Sequence, residues 1–248
     1  MHIISRLLAC VFLLLCSLKP AQSDEAYTIN VAENISNAFE RRSIEQFFNA
    51  VYDHVDITPE YHYFPSGRGL ELVDSGVLDA EAARFPSVVK YYKNLIRVPV
   101  STSKVSASLI CLSSHPCGLN DGIVAVVKGF LYAKQLCEKQ RLDCYYSDDY
   151  ATLVTVLEHK KANFVLTPDY ALPNVICNSG ISNFFIRPVK ELGGDTFHYV
   201  HKKHAHLVPR LTNAIRKVKK DTELDEKMND WQQQLQECNK DVVFLSDS

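Results

Sequence analysis

Several motifs that would settle the chemistry at a glance are missing from this chain. It has no Gly-x-Ser-x-Gly elbow, no Walker A loop and no His-Glu-x-x-His pair, so nucleophilic, nucleotide-driven and zinc-hydrolase chemistries have no motif to rest on. Its cysteines never fall at Cys-x-x-Cys spacing, which removes the common structural zinc sites. Lys and Arg number 27 against 29 Asp and Glu, and the basic clusters (Lys160-Lys161, Lys202-Lys203, Lys217 to Lys220) are short and interrupted by acids. A nucleic-acid partner needs a concentrated basic surface, and none is written here. No repeat or low-complexity tract occurs. The one long apolar run, Leu7 to Leu18, is too short to span a bilayer.

That run, placed after Arg6, has the length of a signal-peptide core. Ala21-Gln22-Ser23 supplies small residues where a signal peptidase reads, so residues 1–23 are expected to be removed and the mature chain to begin at Asp24. What is left is enough for one large domain or two lobes of about 100 residues each. Two of the eight cysteines leave with the leader, and six remain in an exported chain. Cys111 and Cys117 flank a His-Pro turn, Cys137 and Cys144 flank a helix end, and Cys177 and Cys238 are left to pair at long range. Six cysteines allow fifteen pairings, and spacing alone favours this one.

From Asp24 onward strand and helix patterns alternate. Tyr27 to Glu33 reads as a strand, and Asn34, Ser36 and Asn37 offer cap oxygens. The helix that follows carries Ile44, Phe47, Phe48, Val51 and Val55 on one face. Tyr61 to Phe64 is a strand stopped by Pro65, a short helix ends at Gly76, and the next strand delivers Asp79, Glu81 and Arg84. A helix-like VVKYYKNL, an extended IRVPV interrupted by Pro99, and an alternating strand over Lys104 to Leu112 come next. A second set repeats the pattern, with buried strands at Gly122 to Gly129 and Ala162 to Asp169 and helices at Phe130 to Arg141 and Tyr150 to His159. Thr196 to His204 reads as a strand, and two helical stripes close the chain: Leu207 to Val218, then Leu224, Met228, Trp231 and Leu235. Strand–helix repeats in two sets predict an α/β protein with two parallel-sheet lobes.

In such a sheet, polar groups at the carboxyl ends of neighbouring strands converge on one crevice. The stretch Phe64 to Phe85, with Arg68, Asp79, Glu81 and Arg84, is the candidate rim. Taken singly, each of these charges reads equally well as a surface ion pair. Tyr63, Phe64, Phe130, Tyr146 and Tyr170 fall near the expected crevice and suit a ligand with a ring or apolar body, although aromatics at this spacing are more often core. The only metal-like cluster, His198, His201, His204 and His206, cannot converge along a strand and reads as exposed polar positions.

Taken together, the order of elements, the motif Pro65-x-x-Arg68 with Gly76-x-x-Asp79-x-Glu81-x-x-Arg84, the segment Val124 to Gly129 and the run His201-Lys202-Lys203-His204-x-x-Leu207 resemble bacterial periplasmic solute-binding proteins. The closest likeness is to family 3, the amino-acid type, with the type II periplasmic-binding fold. The resemblance implies a first lobe over 24–106 that takes back 201–248, a second lobe over 107–200, and two crossing hinge strands near Lys104 to Ile110 and Thr196 to Val200. It implies a small polar solute, an amino acid or related organic ion, held between the lobes by a periplasmic monomer that serves a membrane transporter or sensor and needs no cofactor. Arg84 would take the ligand carboxylate, the amides after Lys128-Gly129 would assist, and Asp169 would hold an amine. Arg68, Asp79, Glu81, Phe130 and Thr167 complete the expected ligand set. This sequence departs from the family pattern: Arg84 follows Asp79 by only five, and Phe130 stands where a small hydroxyl residue is usual. A sensory role and a dehydratase-like use of Glu81 with Asp79 are the rival readings.

Overall fold

The computed structural model describes residues 26–33, 38–220 and 231–246. The expected leader, the cap residues Asn34, Ser36 and Asn37, and Leu224 and Met228 lie outside the described residues.

Strand β1 (Tyr27–Ala32) pairs in parallel with β2 (Pro59–Phe64) and β3 (Ala80–Arg84). Between β1 and β2, helix α1 (Ala38–Asp53) turns Phe47, Phe48 and Val51 onto one face of this sheet, as its spacing predicts. Between β2 and β3, helix α2 (Ser66–Asp74) covers the other face with Leu70 and Val73. Gly76 then turns the chain at φ +79, a conformation that glycine adopts without a Cβ clash. Each fully buried Leu or Phe on these faces contributes roughly 1.5–3 kcal/mol relative to exposure.

Two long strands hold the molecule together. β4 (Leu95–Cys111, 17 residues) and β8 (Asn183–His201, 19 residues) run antiparallel and side by side. The sequence reads β4 in two pieces about Pro99 and marks only the end of β8, from Thr196, as strand; Pro99 and Gly193-Gly194 are the residues in them that would break a regular ladder. The structure keeps them continuous by putting the breakers at irregularities. Pro99 falls within a register shift between Arg97 and Ser101, where no ladder hydrogen bond is asked of it. Gly193 and Gly194 face Ser106 and Val105 beside a second shift, and Gly194 has φ +141. The run expected as a helix from Val88 is a 3-10 turn (Pro86–Lys90) leading into β4.

Beyond the crossing, β5 (Val124–Val127), β6 (Cys144–Ser147) and β7 (Phe164–Pro168) form the second parallel set. They are flanked by α3 (Leu131–Gln140), α4 (Tyr150–Glu158) and the short α5 (Leu172–Ile176). Asp149 caps α4 by accepting from the Thr152 amide. β8 ends at His201, whose ring caps a 3-10 turn (Lys202–Leu207), so the strand expected to run to His204 stops three residues early. α6 (Val208–Val218), α7 (Trp231–Glu237) and β9 (Asp241–Phe244) complete the chain. The sheet order is β2-β1-β3-β8-β4-β7-β5-β6, with β9 added to β8.

Four hydrophobic cores fall into two pairs, one pair sandwiching each half of the sheet. Val31, Phe48 and Ile215 on one face and Leu70 and Tyr199 on the other belong to the first lobe. Leu153, Ile176 and Phe184 on one face and Val126, Leu136 and Leu166 on the other belong to the second. The end of the chain departs from the expected return of 201–248 to the first lobe. Residues up to Val218 do pack there, but Trp231, Leu235 and Val242 pack in the second lobe, where β9 pairs with Asn183–Ile186. Disulfides join Cys111 to Cys117, Cys137 to Cys144 and Cys177 to Cys238, and the last of these fixes α7 to α5. Among the described residues no helix is long and apolar enough to cross a membrane.

Candidate functional site

The residues at and just beyond the carboxyl ends of β3, β5 and β7 surround a cavity of about 380 Å³ beside the β4–β8 crossing. One wall comes from the first lobe: Phe47 and Phe48 of α1, Leu70 of α2, and Arg84 and Phe85 at the end of β3. The floor is β4 from Thr102 to Ser106, together with Thr196 of β8. The facing wall is second-lobe: Gly129 to Tyr132 at the start of α3, Pro168 to Tyr170 after β7, and Trp231 and Gln234 of α7.

The charged centre of the first wall is a buried pair. Arg84 Nη2 lies 2.9 Å from Glu81 Oε1, with the two side chains 14% and 1% exposed. The contact is one of charge rather than a directed hydrogen bond, since neither Nη2 nor Oε1 meets hydrogen-bond geometry, and among the described residues Nε of Arg84 is also without a hydrogen-bond partner. Nη1 donates to Ser66 Oγ at a long 3.4 Å. Glu81 Oε2 accepts from Asn30 Nδ2 at 2.7 Å, across the β1–β3 ladder where the two residues are register partners. Asn30 has room only because residue 69 is glycine: a Cβ there would fall 2.1 Å from Asn30 Nδ2. Burial raises the Glu81 pKa to about 7, and the opposing pull of Arg84 and Asn30 is too weak to restore an ordinary carboxylate value.

On the second wall, Asp169 accepts from Ser106 Oγ at 2.5 Å and Ser108 Oγ at 2.8 Å. Both serines project from β4, so this carboxylate is oriented by the strand that links the lobes. Phe130 holds the N-cap of α3 and offers it no capping hydrogen bond. The Phe85 and Tyr132 rings touch between the walls, with centroids 4.1 Å apart.

Of the residues singled out in the sequence, Arg84, Gly129, Phe130 and Asp169 line the cavity, and Glu81 stands behind Arg84. Three others do not join them. Arg68 is on the surface, 3.5 Å from Glu71. Thr167 is buried within β7, away from the cavity lining, its hydroxyl without a hydrogen-bond partner among the described residues. Asp79 sits at the opposite end of β3, accepting from the Thr28 amide and hydroxyl at 2.8 Å and lying 2.7 Å from both Lys203 Nζ and His204 Nε2. Desolvation pushes its pKa up, but these partners outweigh it and bring the value down to about 2. Among the candidate aromatics, Phe130 and Tyr170 reach the cavity. Tyr63 instead donates to Glu45, Phe64 packs beside Leu70, and Tyr146 is 37% exposed on β6.

His198 is wholly buried rather than exposed, with its Nε2 2.8 Å from the Tyr52 hydroxyl and Nδ1 3.2 Å from the Ala82 carbonyl. Desolvation lowers its pKa to about 4, so it is a neutral core histidine. Among the described residues no group of histidine, cysteine or acidic side chains is placed to hold a metal. Trp231 and Gln234 also line the cavity: the sequence reading put Trp231 in an apolar helical stripe, which it fits as well as a cavity wall, and did not single out Gln234.

No family model and no curated protein matches the chain in sequence. Solved structures do match in fold. The GluR0 ligand-binding core in complex with L-glutamate aligns with TM-score 0.66 at 15% identity, covering 84% of this chain and 99% of that one. An ancestral arginine-binding protein bound to glutamine aligns with TM-score 0.63 at 14% identity, over 83% of this chain and 97% of the other. A histidine kinase sensor domain with similarity to periplasmic binding proteins aligns with TM-score 0.61 at 11% identity, over 84% and 96%. Two parallel-sheet lobes, a pair of crossing strands and a cavity between them give this chain the two-lobed, type II periplasmic-binding-protein-like fold.

Proposed function

We propose that the chain is an exported solute-binding protein that captures an amino acid or related organic ion between its lobes and presents the closed form to a membrane transporter. One observation carries this reading: Arg84 and Asp169, of opposite charge, enter the same cavity from opposite lobes, amid aromatic walls. A guanidinium offers a carboxylate two parallel donors, Asp169 offers an ammonium an acceptor, and the rings take the body between them. A solute touching both walls gains its full contacts only when they are close, so binding favours closure. The bending falls at the β4–β8 crossing, where Gly193 and Gly194 face Val105 and Ser106. The moving bodies are 26 to about 106 with 197–220, and the remainder with 231–246.

Two solved neighbours are bound to glutamine and to L-glutamate, which supports the class of solute. The sensor-domain neighbour supports a second reading, in which the closed form is read by a separate signalling protein. A dehydratase-like enzyme would need Asp79 beside Glu81 in the cleft, and Asp79 is committed to Thr28, Lys203 and His204. The test is a thermal-shift screen of the mature chain against amino acids, polyamines and organic acids. The reading expects the melting temperature to rise with at least one amino acid and the rise to vanish in Arg84→Ala. A screen in which no amino acid or organic acid stabilises the protein overturns it.

A further inference from the structure

Arg84 does not meet the cavity as a free cation. Its charge is already matched by Glu81, whose Oε1 is 2.9 Å from Nη2 and whose side chain is 1% exposed. Nε and Nη2, the side-on fork of the guanidinium, are buried on the Glu81 side and carry N–H groups with no directed acceptor among the described residues. A solute carboxylate reaches that fork from the cavity only by opening it, and would then share Nη2 with Glu81, so the two anions would stand no more than about 6 Å apart, each about 3 Å from one nitrogen. One buried guanidinium cannot balance two buried carboxylates, and in such pairs one of the acids takes a proton.

We infer that a carboxylate solute is captured together with a proton, which Glu81 takes from solvent as the solute displaces it from Arg84. This rests on the reading of the cavity as a solute site. The surroundings are built for both states of the acid. Asn30 donates to ionised Glu81 through Nδ2, while its Oδ1 is buried with no donor among the described residues. Rotating that amide by half a turn presents Oδ1 to a protonated Glu81, so neither state leaves the acid without a partner. An ordinary carboxylate would resist the exchange, but burial has already moved Glu81 to about 7, so a further push from the solute suffices.

No other group near Glu81 is placed to take the proton instead. Tyr199, its ladder partner on β8, has its pKa raised to about 12, and His198 on the same strand is held neutral by burial. Tyr92, which feels the Glu81 charge, has its pKa raised. β1 contributes uncharged Asn30, and α2 faces the pair with uncharged Ser66. The charges of α2, Arg68 and Glu71, pair at the surface, and its Asp74 accepts from the Asn94 amide. Asp79, two residues before Glu81 and just ahead of β3, is fixed by Lys203 and His204. With Glu81 as the only linked group, affinity for a carboxylate falls up to about tenfold per pH unit above the free-state pKa.

The experiment has two arms. Glutamate carboxyls labelled with carbon-13 are titrated by NMR in the free protein, with the Glu81 signal identified by its loss in Glu81→Gln. Calorimetry with L-phenylalanine, phenylacetate, L-glutamine and L-arginine is run near pH 8 in phosphate and in Tris, whose ionisation heats differ, so that protons taken up per solute are counted. The expected result is a Glu81 midpoint near neutrality and close to one proton taken up per solute bound. In Glu81→Gln the uptake should vanish and the affinity should no longer vary with pH. If that variant does not fold, the wild-type proton count still decides. Binding without proton uptake, or a Glu81 midpoint below about pH 5, overturns the inference and leaves the solute site standing. Failure of all four probes to bind, in a protein that the wider screen also leaves unstabilised, overturns both.

Discussion

The Phe85 and Tyr132 rings meet at 4.1 Å between centroids, tilted by 32°, one from the end of the first-lobe strand β3 and the other from the first turn of the second-lobe helix α3. This contact joins the lobes through the protein's own side chains, so it biases closure whether or not a solute is present. An aromatic pair of this kind contributes about 0.5–1.5 kcal/mol beyond its buried area. Phe85→Ala should therefore reduce the closed population by up to about tenfold. Small-angle scattering should report a larger radius of gyration for the unliganded variant, and stopped-flow should report faster solute release. An unchanged radius and release rate would mean that the rings merely touch.

On the proposed reading, Arg84 is the residue on which solute capture depends most. Arg84→Lys keeps a positive charge near Glu81 but loses the planar fork, and an ammonium cannot hold both oxygens of a carboxylate in one plane. Losing a charge-assisted hydrogen bond costs about 1.5–3 kcal/mol, or roughly a 10- to 150-fold drop in affinity. Calorimetry on the wild type and the variant with the best solute from the screen checks this. A lysine variant that binds as well as wild type would place the carboxylate elsewhere in the cavity.

Asp79 ties β1, β3 and the turn after β8, and its effect should appear in stability rather than binding. Its pKa in the folded chain is about 2 against 3.8 for the free side chain. A depressed acid stabilises the fold fully above its unfolded value and loses that contribution as pH falls through its folded value, here between about pH 4 and pH 2. Lys203 reaches it from solvent, 43% exposed, so the contribution is discounted to roughly 1–2 kcal/mol. Urea denaturation of Asp79→Asn should show that deficit at neutral pH and a gap to wild type that closes toward pH 2. A gap independent of pH would assign the loss to packing rather than to the charge.

The contrast between Asp79 and Arg84 shows where sequence reading stops. Both belong to the stretch marked as a cleft rim, and period and spacing rightly put them about one strand. But β3, Ala80–Arg84, is extended at about 3.3 Å per residue, so its two ends are separated by more than 10 Å. Only the carboxyl end faces the crevice, and the three candidates divide accordingly: Arg84 in the lining, Glu81 behind it, and Asp79 just before the strand's far end. Helix faces such as Phe47, Phe48 and Val51 were legible because their period is local. The continuity of β4 and β8 was not, because Pro99 and Gly193-Gly194 look like breaks until the neighbouring strand absorbs them as bulges. The second-lobe packing of Trp231 was hidden for the same reason: a helical stripe states that it will be buried, not against which core.

That last packing is held by the Cys177–Cys238 disulfide, and the consequence is testable. The bridge spans a separation of 61 residues, against 7 for Cys137–Cys144. In the chain-entropy account a cross-link restricts the unfolded chain more as its loop lengthens, giving about 4 kcal/mol for the long loop and about 2 for the short one. Replacing both members of each pair by serine should lower the melting temperature about twice as far for the long bridge. The binding readout separates the two bridges further. Trp231 and Gln234 line the cavity and are secured by the long bridge through α7, whereas the short bridge ties the last turn of α3 to β6 and the cavity residues of α3, Leu131, Tyr132 and Gln135, lie in its earlier turns. The Cys177/Cys238 variant should therefore lose solute affinity at temperatures where it is still folded, and the Cys137/Cys144 variant should retain it. Equal affinity in the two folded variants would mean that α7 keeps its place without the cross-link, and that the bridge acts on stability alone.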